Sequence, residues 1–232
     1  MKLLIVGQGL AGSCLAWEAL RSGIDFEVMS DPERDPRASS RVAGGSCHPI
    51  SGPRFTPHWK GMEFLAAADS LYREISRSIG REVWVPLPTS FFFEGEESAA
   101  RWEKRVESFS EQGIPWSSLP APDHTCGLKR DWGGVSSTAG GALDLGALVD
   151  GTRAHLQRLG LWRAGSFEPE SLERLHPDGS PASSWKIAGK TYDRIALCLG
   201  RFILESPSWA ARAPWGRTKG ETLEVQADRL PQ

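Results

Sequence analysis

The chain of 232 residues carries a formal net charge of −2, with 24% of its residues charged. Such a length buries a sizeable core in one large or two small domains, and the near balance of charge leaves no basic field that would draw nucleic acid. Four cysteines, Cys14, Cys47, Cys126 and Cys198, lie far apart without a C-x-x-C pair, which argues against a zinc site and gives no disulfide framework. The apolar run before the first glycine has four residues, too short for a signal segment, and no apolar stretch reaches membrane-spanning length, so the expectation is a cytoplasmic protein with no membrane span.

The first predicted element is an apolar strand, Leu3-Leu4-Ile5-Val6, which runs into Gly7-Gln8-Gly9-Leu10-Ala11-Gly12 and a helix from about Leu10 to Ser22, closed by Gly23. A G-x-G-x-x-G run between a buried-type strand and a helix points to a dinucleotide. Gly7 permits the tight turn, Gly9 lets backbone approach a diphosphate, and Gly12 lets helix and strand pack closely. Free N–H groups at the helix start, around Leu10 and Ala11, then face the anion. Ala11, Leu15 and Ala19 read as the packed stripe, with Ala16 and Leu20 beside it and Cys14 as a packing residue. A second strand, Phe26 to Met29, leads to Ser30 and Asp31. An acid there accepts hydrogen bonds from ribose hydroxyls; Ser30 holds the aligned position, and Asp31 serves after a shift of one residue. Arg34 and Arg37 follow closely enough to leave a ribose 2′-phosphate open.

Asp31 to Pro57 reads as a long irregular segment rich in Pro, Arg, Ser and Gly, either a binding loop or a mobile one. Ser39, Ser40 and Arg41 offer hydroxyl and guanidinium donors, and Gly44-Gly45 allow close backbone approach. Gly61 to Ile79 reads as a helix with Phe64, Leu65, Ala68, Leu71, Tyr72 and Ile75 on its apolar face. Strands Val83 to Val85 and Ser90 to Phe93 come next, then a solvent-facing helix from Glu96 to Gln112, a connection from Gly113 to His124, and a strand around Trp132 to Ser137. Asp144 is the expected N-cap of a helix reaching Leu159, with Leu145, Leu148, Val149 and Leu156 buried. A strand from Leu161 to Phe167 and a hairpin over Trp185 to Tyr192 precede a buried-type strand, Arg194 to Leu199, ending in Gly200. Such a strand joins a parallel sheet and brings Gly200 to the ligand edge. The ten tryptophans are scattered without a period and are expected to pack.

Together these segments resemble the D-amino-acid oxidase type of FAD-dependent oxidoreductase, the group that includes glycine oxidases, sarcosine oxidases and the oxidase domain of a tRNA-modifying enzyme. Gly7, Gly9 and Gly12 match the family's FAD diphosphate motif, and Ala38 to Gly45 resembles its Ser-rich loop along the diphosphate and flavin. Leu143 to Leu148 resembles its acid-plus-leucine helix start, and Lys219 to Leu223 the strand that re-enters its substrate domain. Arg194 to Gly200 resembles its strand ending in Ala-Thr-Gly, with the departure that this chain reads Cys198-Leu199-Gly200. The resemblance implies an α/β protein: a Rossmann-like FAD-binding domain over residues 1–80 and 140–210, with a partial α+β substrate domain over 81–139 resumed from 211. It also implies FAD held by Gly7, Gly9, Leu10, Ala11, Gly12, Ser30, Asp31, Ser39, Ser40, Arg41, Ala43, Gly44 and Gly200. Family members continue for more than a hundred residues past the last of these motifs, so the expectation is a chain lacking its C-terminal part, with sheet edge and apolar surface uncovered.

The implied activity is oxidation of a C–N bond of an amine or amino acid by hydride transfer from the α-carbon to flavin N5. No catalytic residue is assigned; His48 and Arg54 are the local candidates for the flavin or substrate neighbourhood. A small-molecule substrate is the expected partner, with nucleic acid not expected, a tRNA-linked substrate open, and oligomeric state unassigned. Two other readings stand beside it: an NAD(P)-dependent dehydrogenase, and a non-catalytic nucleotide-binding fragment.

Overall fold

A computed structural model describes residues 1–52, 54–121, 131–168, 172–175, 184–206 and 211. Cys126 and the predicted strand from Lys219 to Leu223 lie outside them. In chain order the elements begin with β1 (Lys2–Val6), α1 (Leu10–Arg21), β2 (Asp25–Ser30), α2 (Ser39–Val42), β3 (Ser46–Cys47), β4 (Ile50–Ser51), β5 (Thr56–Pro57) and α3 (Gly61–Ile79). They continue with β6 (Trp84–Pro86), β7 (Thr89–Phe92), α4 (Glu96–Glu103), α5 (Val106–Glu111), β8 (Ser117–Leu119), β9 (Gly134–Ser137), β10 (Gly141–Leu143) and α6 (Leu145–Arg158). The last are β11 (Trp162–Ala164), β12 (Glu173–Leu175), β13 (Ser184–Ile187), β14 (Lys190–Tyr192) and β15 (Arg194–Leu197), followed by a 3₁₀ segment, Gly200–Glu205.

The chain divides into two compact units: Met1–Gly44 with Ile75–Arg81 and the described residues of Asp144–Thr222, and the described residues of Gly45–Glu74 with Glu82–Leu143. Residues 45–74, which the sequence grouped with the nucleotide-binding domain, fall in the second unit. The reason is pairing: β3 joins β10 antiparallel, and Ile50 and Phe55 enter an aromatic core with Trp102 and Phe109.

The first unit is built on a four-stranded sheet in the order β11-β2-β1-β15, with every neighbouring pair parallel. Both of its faces are buried, which is why β1 reads as an unbroken apolar run. Leu3 and Ile5 pack with Ala16, Ala19 and Leu156 on one face, while Leu4 and Val6 pack with Met29, Phe167, Ile187 and Tyr192 on the other. The small residues of α1 let it sit close to the sheet, but the stripe differs from the expected one. Gly12, Ser13, Ala16, Trp17 and Ala19 are buried and Ala11 is exposed, because Trp17 turns toward α6, where its Nε1 donates to Thr152 Oγ1 at 2.9 Å. Asp144 caps α6 as expected, its carboxylate accepting the Ala147 N–H at 2.9 Å, and Leu145, Leu148, Val149 and Leu156 are buried.

In the second unit the segment from Glu96 to Gln112 is two helices, broken at Lys104-Arg105, rather than one. It is solvent-facing on one side only: Trp102 and Phe109 are buried in the cluster with Phe55, Ile114 and Val135. The expected apolar face of α3 is buried only at Leu71, Tyr72 and Ile75; Phe64, near its start, is exposed. Among the described residues no helix is long and apolar enough to cross a membrane.

Candidate functional site

The first unit carries a cavity of about 490 Å³ at the C-terminal edge of its parallel sheet. It is lined by the β1–α1 turn (Val6 to Ala11), the end of β2 (Met29 to Asp31), the α2 region (Ala38 to Ser40, and Ala43), and the segment after β15 (Leu197 to Phe202). Arg34, Asp35, Leu145, Gly165 and Phe167 complete the lining. In open parallel sheets this edge is where ligands bind.

The three motif glycines have separate jobs. Gly7 sits at φ +92°, its N–H donating to Met29 O at 2.8 Å, and an added Cβ would stand 2.5 Å from the Cys198 carbonyl oxygen. At Gly12 an added Cβ would run into the Gly7 carbonyl. These two glycines are required by the fold itself, which brings the turn against both the helix and the end of β15. Gly9 differs, because its backbone is extended and an added Cβ would meet only the Ser40 hydroxyl, at 3.1 Å. The turn and the Ser39-Ser40 segment thus approach each other closely at Gly9, with little room for a side chain.

Gly9 is the N-cap of α1, where no side chain caps the helix and no acidic residue occupies the first turn. Uncapped N–H groups of a 12-residue helix opening on a cavity form an anion-binding end. Ser30 and Asp31 both line the cavity at the end of β2. The Asp31 carboxylate accepts the Glu33 N–H at 2.9 Å and pairs with Arg34 Nε at 3.4 Å, so it is oriented but keeps acceptor capacity for hydroxyl groups.

Of the sequence candidates, Gly7, Gly9, Leu10, Ala11, Ser30, Asp31, Ser39, Ser40, Ala43 and Gly200 come together around this cavity. Gly12 lies behind the turn as a packing position. Arg41 and Gly44 stand outside the lining. Arg41 is taken up by carboxylates instead, with Nη2 at 2.6 Å from both Asp35 Oδ2 and Asp150 Oδ1. His48 belongs to the second unit, packed edge-on to Phe91 with its Nδ1 buried and unpartnered among the described residues; burial pushes its pKa down. Arg54 is exposed in the same unit. Neither lines the cavity.

No local pattern announces the polar network under the site. Gln8, the variable residue between the first two glycines, is 2% exposed. Its Nε2 donates to Ser13 Oγ at 3.1 Å and Val149 O at 2.8 Å, and its Oε1 accepts Arg153 Nε at 2.8 Å. Arg153 Nη2 in turn reaches Asp35 Oδ1 at 3.0 Å. The chain Gln8–Arg153–Asp35–Arg41–Asp150 thus ties the glycine turn and the Ser39-Ser40 segment to α6. Burial opposes ionisation of Asp35, but hydrogen bonds from Arg153 and Arg41 outweigh it and hold its pKa below the usual range. Asp150 is lowered chiefly by Arg41. Cys198, by contrast, is an apolar packing residue whose thiol burial pushes up.

The parallel sheet, the glycine turn and the cavity at its edge define a dinucleotide-binding α/β fold. The sequence matches the profile of the FAD dependent oxidoreductase family, DAO, over residues 2–229, and the chain belongs to that family. Among solved structures it is similar to glycine oxidase from Geobacillus kaustophilus, at 15% identity and TM-score 0.62, covering 90% of this chain and 58% of that one. It is also similar to iminodiacetate oxidase from Chelativorans sp. BNC1, at 16% identity and TM-score 0.62, covering 88% of this chain and 56% of that one. L-proline dehydrogenase from P. horikoshii matches at 13% identity and TM-score 0.60, covering 91% and 56%. The chain therefore spans just over half the length of these proteins. No curated protein matches the sequence.

Proposed function

We propose that the first unit holds FAD and that the chain supplies the cofactor-binding part of an oxidoreductase acting on the C–N bond of an amine or amino acid. The carrying observation is an uncapped helix N-terminus, with Gly9 as its N-cap, that lines a cavity at the parallel-sheet edge. A diphosphate suits that end, Ser30 and Asp31 suit ribose hydroxyls, and Ser39 and Ser40 add donors on the α2 side. When bound, FAD supplies the hydride acceptor, flavin N5. The protein's own groups bind and orient: the helix end neutralises charge, and the Arg41 and Arg153 network keeps the Ser39-Ser40 segment in place.

Family membership and the oxidase names of the structural neighbours support an amine or amino-acid substrate. In the same proposal the first unit is the cofactor domain, the second belongs to the substrate domain, and the protein works in the cytoplasm. Arg34 beside Asp31 in the cavity lining favours one second reading, a nicotinamide dinucleotide. The deciding experiment is the visible spectrum of the purified chain with titrations of FAD and NAD(P). Flavin bands and saturable FAD binding support the proposal. Binding of NAD(P) alone replaces it with the dehydrogenase reading, and binding of neither removes both.

A further inference from the structure

We infer that Arg34, Arg37 and Arg201 form a second phosphate-recognition element of the cavity, built on the Phe202 ring and separate from the glycine turn. This rests on reading the cavity as a nucleotide site. The three guanidinium carbons lie 5.6, 5.7 and 4.7 Å from the centroid of Phe202. Arg34, Arg201 and Phe202 line the cavity; Arg37 stands outside that lining, and Arg201 Nε donates to its carbonyl at 3.0 Å, fixing the segment after β15 to the one after β2.

Among the described residues, only Arg34 of the three has a carboxylate partner, Asp31 at 3.4 Å. Asp35, the other carboxylate in the cavity lining, is already engaged by Arg41 and Arg153. An aromatic face holds cations, but it does not neutralise them, and the Asp31 pairing leaves two of the three positive charges unbalanced. A phosphate balances them, and the planar guanidinium donors match its oxygens. The residues come from segments separated by more than 160 positions, so the fold assembles the cluster. Its ligand is the diphosphate of an adenine nucleotide, shared between this cluster and the helix N-terminus.

The test is calorimetric titration of the full chain with ADP at several salt concentrations, for the unaltered protein and for Arg37→Gln/Arg201→Gln. Arg34 is spared because it also orients Asp31. Exposed charge contacts are screened, so the double variant should bind ADP about tenfold more weakly, with a shallower salt dependence and an unchanged circular dichroism spectrum. Arg37→Lys/Arg201→Lys, which keeps the charge, should recover most of the affinity. Equal ADP affinity in the Gln variant overturns the inference, as does an unaltered protein that does not bind ADP. Arginine-dependent ADP binding without FAD binding sinks the cofactor reading and leaves the cluster standing; FAD binding indifferent to the arginines does the reverse.

Discussion

The two units solve the same packing problem with different materials. The first buries aliphatic side chains on both faces of one parallel sheet, so that the strand ends are left to build a cavity. The second pairs strands of two to four residues into small antiparallel sheets and relies on aromatic contacts, with Trp102 at 4.7 Å from Phe109 and 5.7 Å from Phe55, all ring to edge. A long parallel ladder fixes backbone positions to a fraction of an ångström, which a turn with no spare room at Gly7 and Gly12 demands. An aromatic cluster buries much area per residue and compensates for short ladders.

That contrast can be broken at its strongest points. Gly12→Val should be the most damaging change, because the new side chain meets backbone that cannot yield; a loss above about 3 kcal/mol in chemical denaturation is expected, and a stable folded variant would refute the packed-turn account. Phe109→Ala should cost about 3–5 kcal/mol, felt first in the second unit. Tryptophan fluorescence should report it while nucleotide affinity in the first unit stays within about twofold at temperatures where both variants are folded.

Asp35→Asn removes the shared acceptor of Arg41 and Arg153 and should cost about 2 kcal/mol near neutral pH. Asp35 and Asp150 are held below their ordinary pKa values by their arginine partners. Their contribution is therefore complete above the unfolded carboxyl pKa of about 4 and lost as pH falls through the lower folded values. Denaturation curves below about pH 4 should steepen this loss for the unaltered protein and show a flatter limb for Asp35→Asn. Gly9→Val should have the smallest effect on stability, about 1 kcal/mol, from a poor N-cap residue and a Ser40 side chain that must give way. It should nevertheless abolish FAD retention, measured by the flavin absorbance of the purified protein. Full flavin content in that variant would move the diphosphate away from Gly9.

Much of the first unit was legible before any coordinates. The βαβ start, the Asp144 cap, the hairpin ending at Tyr192 and the strand before Gly200 all rest on residues a few positions apart, where periodicity and capping chemistry act. The second unit was less so. Trp102 and Phe109 sit in a segment dense with Glu, Lys and Arg, and the charge pattern concealed two aromatic anchors seven residues apart. Arg41 reads as a ligand contact because it is a guanidinium donor in the same Ser-rich loop as Ser39 and Ser40, but its side chain turns to Asp150, 109 residues away.

Sequence alone determined that this chain makes a dinucleotide fold with its glycine turn at residues 7–12, because a strand, a tight turn and a helix start are set by local sterics. Only the tertiary structure decided which of those glycines line the cavity, which arginines are spent on carboxylates and which gather at Phe202. Ion pairs and ring contacts are chosen by where distant segments cross, and the parallel sheet sets β2 and β15 on either side of β1, although they lie far apart in sequence.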